Sequence, residues 1–286
     1  MLRWLFSLAL GVGALAVACS SESSSANATD TDAGTDEDAA PAFDEDSGSE
    51  QKDALPPNPL PECPQDPGPP TPTVSKWTAD PINGAEKFTL ADALAGYPQA
   101  TGVLTALITT EQGTIRCDLD EAAAPISVAN FVGLARGTRP YEEDLKKWKL
   151  GRFYDGLIWH RVVPGFVIQG GDPDGRGTGG PGYNLVVENQ IDEVFGTLAM
   201  AASDTVSGSQ FYIVVGNGPA PEYNVFGRCE TTTAISIASQ PRDDRDKPLT
   251  PIHMQRIDIA RCPTGIEDPG LYDAGAPDAP SDADAD

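Results

Sequence analysis

The chain has 286 residues and a formal net charge of −24, with 43 acidic side chains against 19 Lys and Arg. Most of the acidic excess lies in residues 20–73 and 263–286, so the stretch between them is much closer to neutral. A chain of this charge repels the phosphates of DNA and RNA, which excludes nucleic acid as an expected partner.

The first 18 residues have the composition of a secretory signal peptide. Arg3 is followed by an apolar run that ends in Ala16-Val17-Ala18 and is too short for a membrane span. Cys19 follows directly, and this arrangement resembles the lipobox of bacterial lipoproteins. Ala-Val-Ala would also suit ordinary signal cleavage, so both kinds of processing stay open. The resemblance implies an exported lipoprotein that is anchored to a membrane through Cys19, in the outer membrane or periplasm.

Residues 19–73 predict a disordered tether that is acidic and rich in Pro. Ser, Ala, Asp, Thr and Pro dominate this segment, and such a composition buries too little apolar surface to offset the entropy of ordering. Residues 74–102 are expected to pack on the edge of a domain at 103–262. Residues 263–286 predict a second disordered acidic tail for the same compositional reason.

The pattern of residues 103–262 is that of short strands separated by Gly and Pro. The expected strands are Val103–Ile108, Ile115–Leu119, Ile158–Val162, Phe166–Gln169, Gly196–Ala201, Gln210–Val215, Val225–Arg228 and Ile252–Ala260. A helix is expected from Pro125 to Gly137, which suit its first and last positions, and a shorter one at Thr232–Ser239. Many short strands with a helix near each end indicate a closed antiparallel barrel.

Four motifs follow one another through this domain. They are Phe-Tyr-Asp-Gly-Leu-Ile-Trp-His-Arg-Val-Val-Pro-Gly-Phe-Val-Ile-Gln-Gly-Gly-Asp (153–172), Gly-Thr-Gly-Gly-Pro-Gly-Tyr (177–183), Gly-Ser-Gln-Phe-Tyr-Ile (208–213) and Val-Phe-Gly-Arg (225–228). In order and spacing they closely resemble the signature stretches of the cyclophilins, over about residues 104–260. The resemblance implies an eight-stranded antiparallel barrel capped by two helices. It also implies peptidyl-prolyl cis–trans isomerase activity that requires no cofactor and no metal.

The resemblance further implies roles for individual residues. Arg161 matches the catalytic arginine of the His-Arg-Val stretch, and Phe166 and Gln169 complete the expected catalytic set. The expected substrate-binding residues are Val167, Ala201, Ala202, Gln210, Tyr212 and Tyr223. Four of these positions depart from the commonest family residue, which is Met at 167, Asn at 202, Phe at 212 and His at 223. Residues 138–152 are an insertion relative to the family and are expected to form a surface helix.

A simpler interpretation of the same residues stays open. Apolar strand residues usually face inward, so Phe166, Val167 and Tyr212 could belong to the core. Arg161 could be an ordinary surface arginine. His160, beside it, is expected to be a packed and hydrogen-bonded structural histidine.

Four cysteines remain after Cys19, and an even number in an exported chain suggests disulfides. We favour Cys117–Cys229 and Cys63–Cys262, since Cys117 lies on one predicted strand and Cys229 directly follows another, although the number of cysteines alone allows three pairings. No Cys-x-x-Cys occurs and the chain has only 2 histidines, so a zinc site is not expected.

Three functions are compatible with these observations. The first is an isomerase, acting as a monomer, that turns X–Pro bonds in proline-containing segments of exported proteins and assists their folding. The second is a chaperone module that holds such segments with negligible turnover, and the third is a surface adhesion protein that keeps the fold as a scaffold. The joint presence of Arg161, Phe166, Gln169 and Gln210 favours the enzyme.

Overall fold

The structure is a computed structural model that describes Cys63 and residues 80–98, 100–144, 147–218 and 223–266. The expected signal peptide, Cys19, the tether apart from Cys63, and residues 267–286 lie outside the described residues. Within the described ranges, no helix has the length and apolar character needed to cross a membrane.

The described part is mainly β. Its strands are β1 (Val103–Thr110), β2 (Gly113–Leu119), β3 (Tyr141–Asp144), β4 (Lys147–Lys149), β5 (Leu157–Ile158), β6 (Arg161–Val163), β7 (Val167–Gly170), β8 (Asn184–Leu185), β9 (Thr197–Ala202), β10 (Val206–Val214), β11 (Val225–Cys229), β12 (His253–Met254) and β13 (Arg256–Cys262). Its α-helices are α1 (Leu90–Ala93), α2 (Pro125–Arg136) and α3 (Thr232–Ala238), and a 3-10 turn covers Ala85–Lys87.

One nine-stranded sheet dominates the fold. Its strand order is β13-β1-β2-β11-β9-β10-β7-β6, with β8 paired to β10, and neighbouring strands are antiparallel. The expected mainly β class with few helices is therefore confirmed. In the described part of the chain no ladder joins β13 to β6, so the closure of the barrel is not confirmed. The short strands β5 and β12, which precede β6 and β13, pair with each other.

Helix α2 begins and ends where the sequence predicts. Pro125 occupies the first turn, and Gly137 ends the helix with a φ of 82°, a conformation that glycine adopts without strain. Glu188 accepts hydrogen bonds from the backbone N–H groups of Ile126 and Ser127, at 2.6 and 2.7 Å. A carboxylate at this end is favourable because the N-terminus of a helix carries a partial positive charge.

Residues 80–98 lie against α2 and the chain that follows it. The Arg139 guanidinium is fully buried and donates two hydrogen bonds to Asp80, at 2.9 and 3.1 Å. It also lies near the rings of Phe88 and Tyr183, with its Cζ 5.4 and 4.2 Å from their centroids. This buried ion pair ties the segment to the domain.

The surface helix expected at residues 138–152 is wrong. Strands β3 and β4 form a two-stranded hairpin there, and its two aromatic side chains are buried. Trp148 stacks on Tyr183 with ring centroids 6.1 Å apart, and Tyr141 packs edge-on against Phe153 at 4.8 Å. The Glu-Lys composition of the insertion suggested a helix, but packing of these rings favours paired strands.

Both favoured disulfides are present in the structure. Cys117 and Cys229 are directly opposed partners of β2 and β11, with Cα atoms 3.9 Å apart. Cys63 joins Cys262 at the end of β13, with a Cα separation of 4.5 Å, and packs beside Ala260. The second disulfide therefore fixes one point of the segment before the domain to its last strand.

Candidate active site

Neighbouring strands place the expected site residues on one face of the sheet. Arg161 on β6 is opposite Gln169 on β7, and Gln169 is opposite Tyr212 on β10. Directly opposed residues of a sheet point to the same side, and residues two positions apart on a strand do so as well. Val167 and Gln210 therefore share this face with the first three residues.

The residues that alternate with them along β6, β7 and β10 face the core. Val162, Ile168 and Phe211 are fully buried and belong to the main hydrophobic core. A separate apolar cluster lies on the other face and consists of Val167, Ala199, Tyr212 and Val214, with Phe166, Ala201, Tyr223 and Val225 packed against it. The alternative that Phe166, Val167 and Tyr212 are core residues is therefore wrong.

A cavity of about 110 Å³ opens on this face, and we call it the outer slot. Its lining consists of Arg161, Phe166, Val167, Gln169, Ala201, Ala202, Tyr212 and Tyr223. Of the residues expected at the site, Gln210 is the one that does not line the slot. The walls of the slot are mostly apolar, and the Arg161 guanidinium lies at the edge of the slot.

The turn between β6 and β7 presents Phe166 to the slot. Gly165 has a φ of 70°, which allows the tight turn, and the Phe166 amide donates to the Val163 carbonyl at 3.1 Å. The Phe166 carbonyl accepts from the Val215 amide at 2.8 Å, so both sides of the residue are held. The Arg161 Cζ lies 5.8 Å from the centroid of the Phe166 ring.

The charge of Arg161 is only partly compensated. Its side chain is 38% exposed, and its nearest acidic partner is Asp246, with 3.9 Å between Nε and Oδ2. Asp246 also pairs with Arg242, whose Nε lies 3.3 Å from Oδ1. A partly exposed pair at this separation is weak, so the Arg161 guanidinium can turn toward a ligand in the slot at little cost.

Gln210 supports the site from one side. Its Oε1 accepts a hydrogen bond from Gln169 Nε2 at 3.0 Å, and its own Nε2 donates to the Gly179 carbonyl at 2.8 Å. These bonds fix the orientation of the Gln169 amide at the edge of the slot. Gln210 also lines an adjoining cavity of about 390 Å³, together with residues such as Asn184 and Ser207.

Asp172 organises the Gly-rich loop that leads to Gly179. The carboxylate is fully buried and accepts hydrogen bonds from the backbone N–H groups of Asp174, Arg176 and Thr178, at 2.8, 2.9 and 3.0 Å. Burial by itself would raise the pKa of Asp172, but backbone donors, among them Asp174, Arg176 and Gly177, outweigh it and lower the pKa below the usual value. The loop is therefore an internally bonded turn that places an acceptor for Gln210.

His160 is buried, as expected, but the expected hydrogen bonds are absent. It is 6% exposed, and neither ring nitrogen has a hydrogen-bond partner among the described residues. Burial lowers the pKa of His160 below 6.5, although the nearby charge of Asp172 acts in the opposite direction. The histidine is thus held as a neutral packing residue at neutral pH.

The sequence did not reveal Glu193, which contacts the slot residue Tyr212. Its Oε1 accepts a hydrogen bond of 2.6 Å from the Tyr212 hydroxyl. Burial raises the pKa of Glu193 to about 7, although the bond from Tyr212 lowers it in part. The available signal was tyrosine at a position where the family more often has Phe, because a buried hydroxyl needs a partner.

The arrangement can hold a small apolar ring against Phe166, Val167 and Tyr212 and place a cation beside it. Within the described ranges, no group of three or more His, Cys, Asp or Glu is placed to hold a metal ion.

Comparisons with known proteins identify the family of the chain. The family model described as cyclophilin type peptidyl-prolyl cis-trans isomerase/CLD matches residues 105–259. Peptidyl-prolyl cis-trans isomerase A of Mycobacterium tuberculosis is 40% identical over 181 residues, which cover 59% of this chain and 98% of that protein. Peptidyl-prolyl cis-trans isomerase B of Bacillus subtilis is 43% identical over 132 residues, covering 43% of this chain and 80% of the relative.

A solved structure was also found to be similar. The Cryptosporidium parvum cyclophilin type peptidyl-prolyl cis-trans isomerase is 27% identical, with a TM-score of 0.45, and the match covers 56% of this chain and 99% of that one. The family model spans more than half of the chain, and the mycobacterial relative is matched over nearly its whole length. The chain therefore belongs to the cyclophilin-type peptidyl-prolyl cis–trans isomerases.

Proposed function

We propose that this isomerase turns X–Pro bonds of exported proteins in the outer slot, with Arg161 as the catalytic residue, and thereby assists their folding. The observation that supports this most strongly is the row of Arg161, Gln169 and Tyr212 across three neighbouring strands, on the face opposite the core. Adjacent strands lie about 4.8 Å apart, so this row spans roughly 10 Å, the length of a short peptide segment.

The reaction requires a rotation and no bond cleavage. The barrier of about 18–20 kcal/mol arises because resonance keeps the amide planar. When the bond twists, the imide nitrogen regains a lone pair and the carbonyl becomes less polar. A site that binds this twisted form better than either planar form accelerates the rotation.

Arg161 supplies the donor that the twisted state needs. A guanidinium N–H that reaches the prolyl nitrogen can donate a hydrogen bond only when the lone pair is free, so the bond favours the twisted form. A hydrogen bond to a charged group contributes about 1.5–3 kcal/mol. That amount corresponds to roughly one to two decades of rate.

The other slot residues hold the substrate while the bond turns. Phe166, Val167 and Tyr212 form an apolar wall for the prolyl ring and exclude water, which would stabilise the more polar planar form. The Gln169 amide, oriented by Gln210, would bind backbone groups on the flanking residue. Ala201, Ala202 and Tyr223 would bound the slot on the opposite side.

The closed barrel that the family resemblance implies belongs to the same proposal. The β5–β12 ladder supports it, because these strands immediately precede the two ends of the strand path, β6 and β13. A closed sheet would hold β6 rigidly, and with it the backbone of Arg161.

An exported, membrane-anchored location completes the proposal. It is supported by the signal-like first 18 residues, by Cys19, and by two disulfides, which persist in oxidising compartments. The segment 19–73 would hold the domain away from the membrane surface, and the domain would act as a monomer.

Two measurements on the full chain, expressed in a lipoprotein-processing bacterium, test this proposal. Mass spectrometry of the mature N-terminus should find a lipid on Cys19, and Cys19→Ser should abolish it. The purified protein should also accelerate the slow refolding phase of a secreted protein that has native cis-prolines. A mature protein that retains residues 1–18, or a refolding rate unaffected by the isomerase, would contradict the exported folding role.

A further inference from the structure

The hydroxyl of Tyr212 links the wall of the outer slot to a second segment of the chain. The ring is 5% exposed and packs edge-on against Tyr223, with centroids 5.7 Å apart. Its hydroxyl donates to Glu193 Oε1 at 2.6 Å, a short bond that is typical of a charged acceptor. Glu193 lies between β8 and β9. The Tyr212 side chain, which lines the slot, is therefore held by a residue that does not belong to strands β6, β7 and β10.

The backbone around Glu193 is itself held in place. The Val194 amide donates to Thr197 Oγ1 at 2.9 Å, and the Thr197 amide donates back to the Val194 carbonyl at 2.9 Å. On the other side, Gly218 approaches so closely that a Cβ there would lie 2.6 Å from the Glu193 carbonyl oxygen. The carboxyl group therefore has a fixed position from which it can hold Tyr212.

The second oxygen of the carboxyl group is in an unusual position. Glu193 Oε2 is buried and has no hydrogen-bond partner among the described residues. A buried carboxylate oxygen without a donor favours the protonated form, because burial penalises the charge. Burial accordingly raises the pKa of Glu193 to about 7.

The neighbouring ionisable groups are few. Tyr212 is the one titratable group of the described part that shifts the pKa of Glu193, and Tyr223 acts on Tyr212 in turn. Arg228 of β11 packs near Gly196, where an added Cβ would lie 3.6 Å from its Cγ. Asp192 precedes Glu193 and is exposed, and Glu222 follows Gly218 but lies outside the described residues.

We propose that Glu193 is a positioning residue of the isomerase: its carboxylate holds the Tyr212 ring against the outer slot, and its protonation loosens that hold. This inference rests on the proposed function of the slot as the proline site. The ionised carboxylate forms the stronger hydrogen bond with the hydroxyl, whereas the neutral acid is a weaker acceptor. Substrate binding in the slot therefore weakens as the carboxyl group gains a proton.

Exchange NMR with an Ala-Pro peptide, from about pH 5.5 to 8.5, measures both KM and kcat without a coupling protease. For the wild-type chain we expect KM to rise about threefold to tenfold as the pH falls through the transition, with a much smaller change in kcat. Glu193→Gln keeps an acceptor but has no charge to lose, so its KM should be flat with pH. The KM of Tyr212→Phe should also be flat with pH, because this variant lacks the hydroxyl that bonds to Glu193.

Further controls separate this transition from others. Asp192→Asn changes the adjacent exposed carboxylate and should keep the wild-type pH profile. Burial lowers the pKa of His160 below 6.5, so the titration of His160 lies on the acid side of the transition that Glu193→Gln should remove. Glu222→Gln should likewise keep the profile if Glu193 is the responsible group.

A second readout does not depend on turnover. The ring resonances of labelled Tyr212, assigned by their loss in Tyr212→Phe, should shift through a transition near pH 7 in the wild type and stay constant in Glu193→Gln. A constant Tyr212 signal in the wild type, or an unchanged pH profile of KM in Glu193→Gln, would overturn the positioning role. Failure of the proposed catalytic function would appear separately, as equal turnover by the wild type and Arg161→Ala.

Discussion

Replacing Arg161 by alanine is expected to lower kcat/KM for an Ala-Pro peptide by about tenfold to hundredfold, as the loss of one charged hydrogen bond requires. The effect should appear mainly in kcat, because the bond to the prolyl nitrogen forms only in the twisted state. The side chain is 38% exposed and its closest acidic partner is 3.9 Å away, so the fold should survive the change. Exchange NMR on the peptide measures both constants.

Arg176→Ala is the matched control for this variant. Arg176 lies in the loop before Gly177, and its side chain is 76% exposed. Its loss changes the net charge equally but removes nothing from the outer slot, so kcat/KM should stay at the wild-type value. Arg161→Lys should recover only part of the activity, because an ammonium lacks the planar set of donors. Wild-type turnover in Arg161→Ala would remove the catalytic assignment.

Replacing both Cys117 and Cys229 by alanine is expected to lower the free energy of unfolding by about 3–5 kcal/mol. The two residues are fully buried and separated by 112 positions. Their bond therefore closes a long loop in the unfolded chain and lowers the entropy of that state. Denaturant unfolding followed by tryptophan fluorescence measures the loss as a lower transition midpoint.

The same double variant tests whether stability and catalysis are separate. Cys117 belongs to the main core rather than to the apolar cluster of the outer slot, so the folded double variant should keep its kcat/KM. An unchanged unfolding midpoint, or free thiols at both positions in the oxidised wild-type protein, would refute the stabilising role of this disulfide.

Local signals predicted most of the helix and strand positions. Pro125 and Gly137 fixed both ends of α2, because one suits a helix start and the other the left-handed residue at its end. The predicted strand Ile252–Ala260 is divided in the structure, because β12 pairs with β5 whereas β13 pairs with β1. Such a break depends on a partner far away in the chain, which local patterning does not contain.

The orientation of the slot residues could not be derived from periodicity. Val167 and Ile168 are both apolar, yet one faces the slot and the other the core. A strand that is apolar on both sides gives no alternation from which to choose the core face. The matching motifs identified Arg161, Phe166 and Gln169. The sheet register then placed Arg161 and Gln169 on one face, and the turn at Gly165 brings Phe166 to the same slot.

The contacts that sequence reasoning missed all join distant segments. Glu193 meets Tyr212 from the loop before β9, and Arg139 meets Asp80 across the α2 region. The hairpin at residues 141–149 is decided by burial of Trp148 against Tyr183, which outweighs the local preference of Glu and Lys. In each case a tertiary partner determines the outcome.

A crystal structure of the protein with a bound Ala-Pro peptide tests the role of the outer slot most directly. We expect the prolyl ring to lie against Phe166, Val167 and Tyr212, with the Arg161 guanidinium turned toward the prolyl nitrogen and the Gln169 amide bonded to the peptide backbone. A peptide whose proline lies elsewhere on the protein, or an Arg161 side chain directed away from it, would contradict the assignment of this face as the catalytic site.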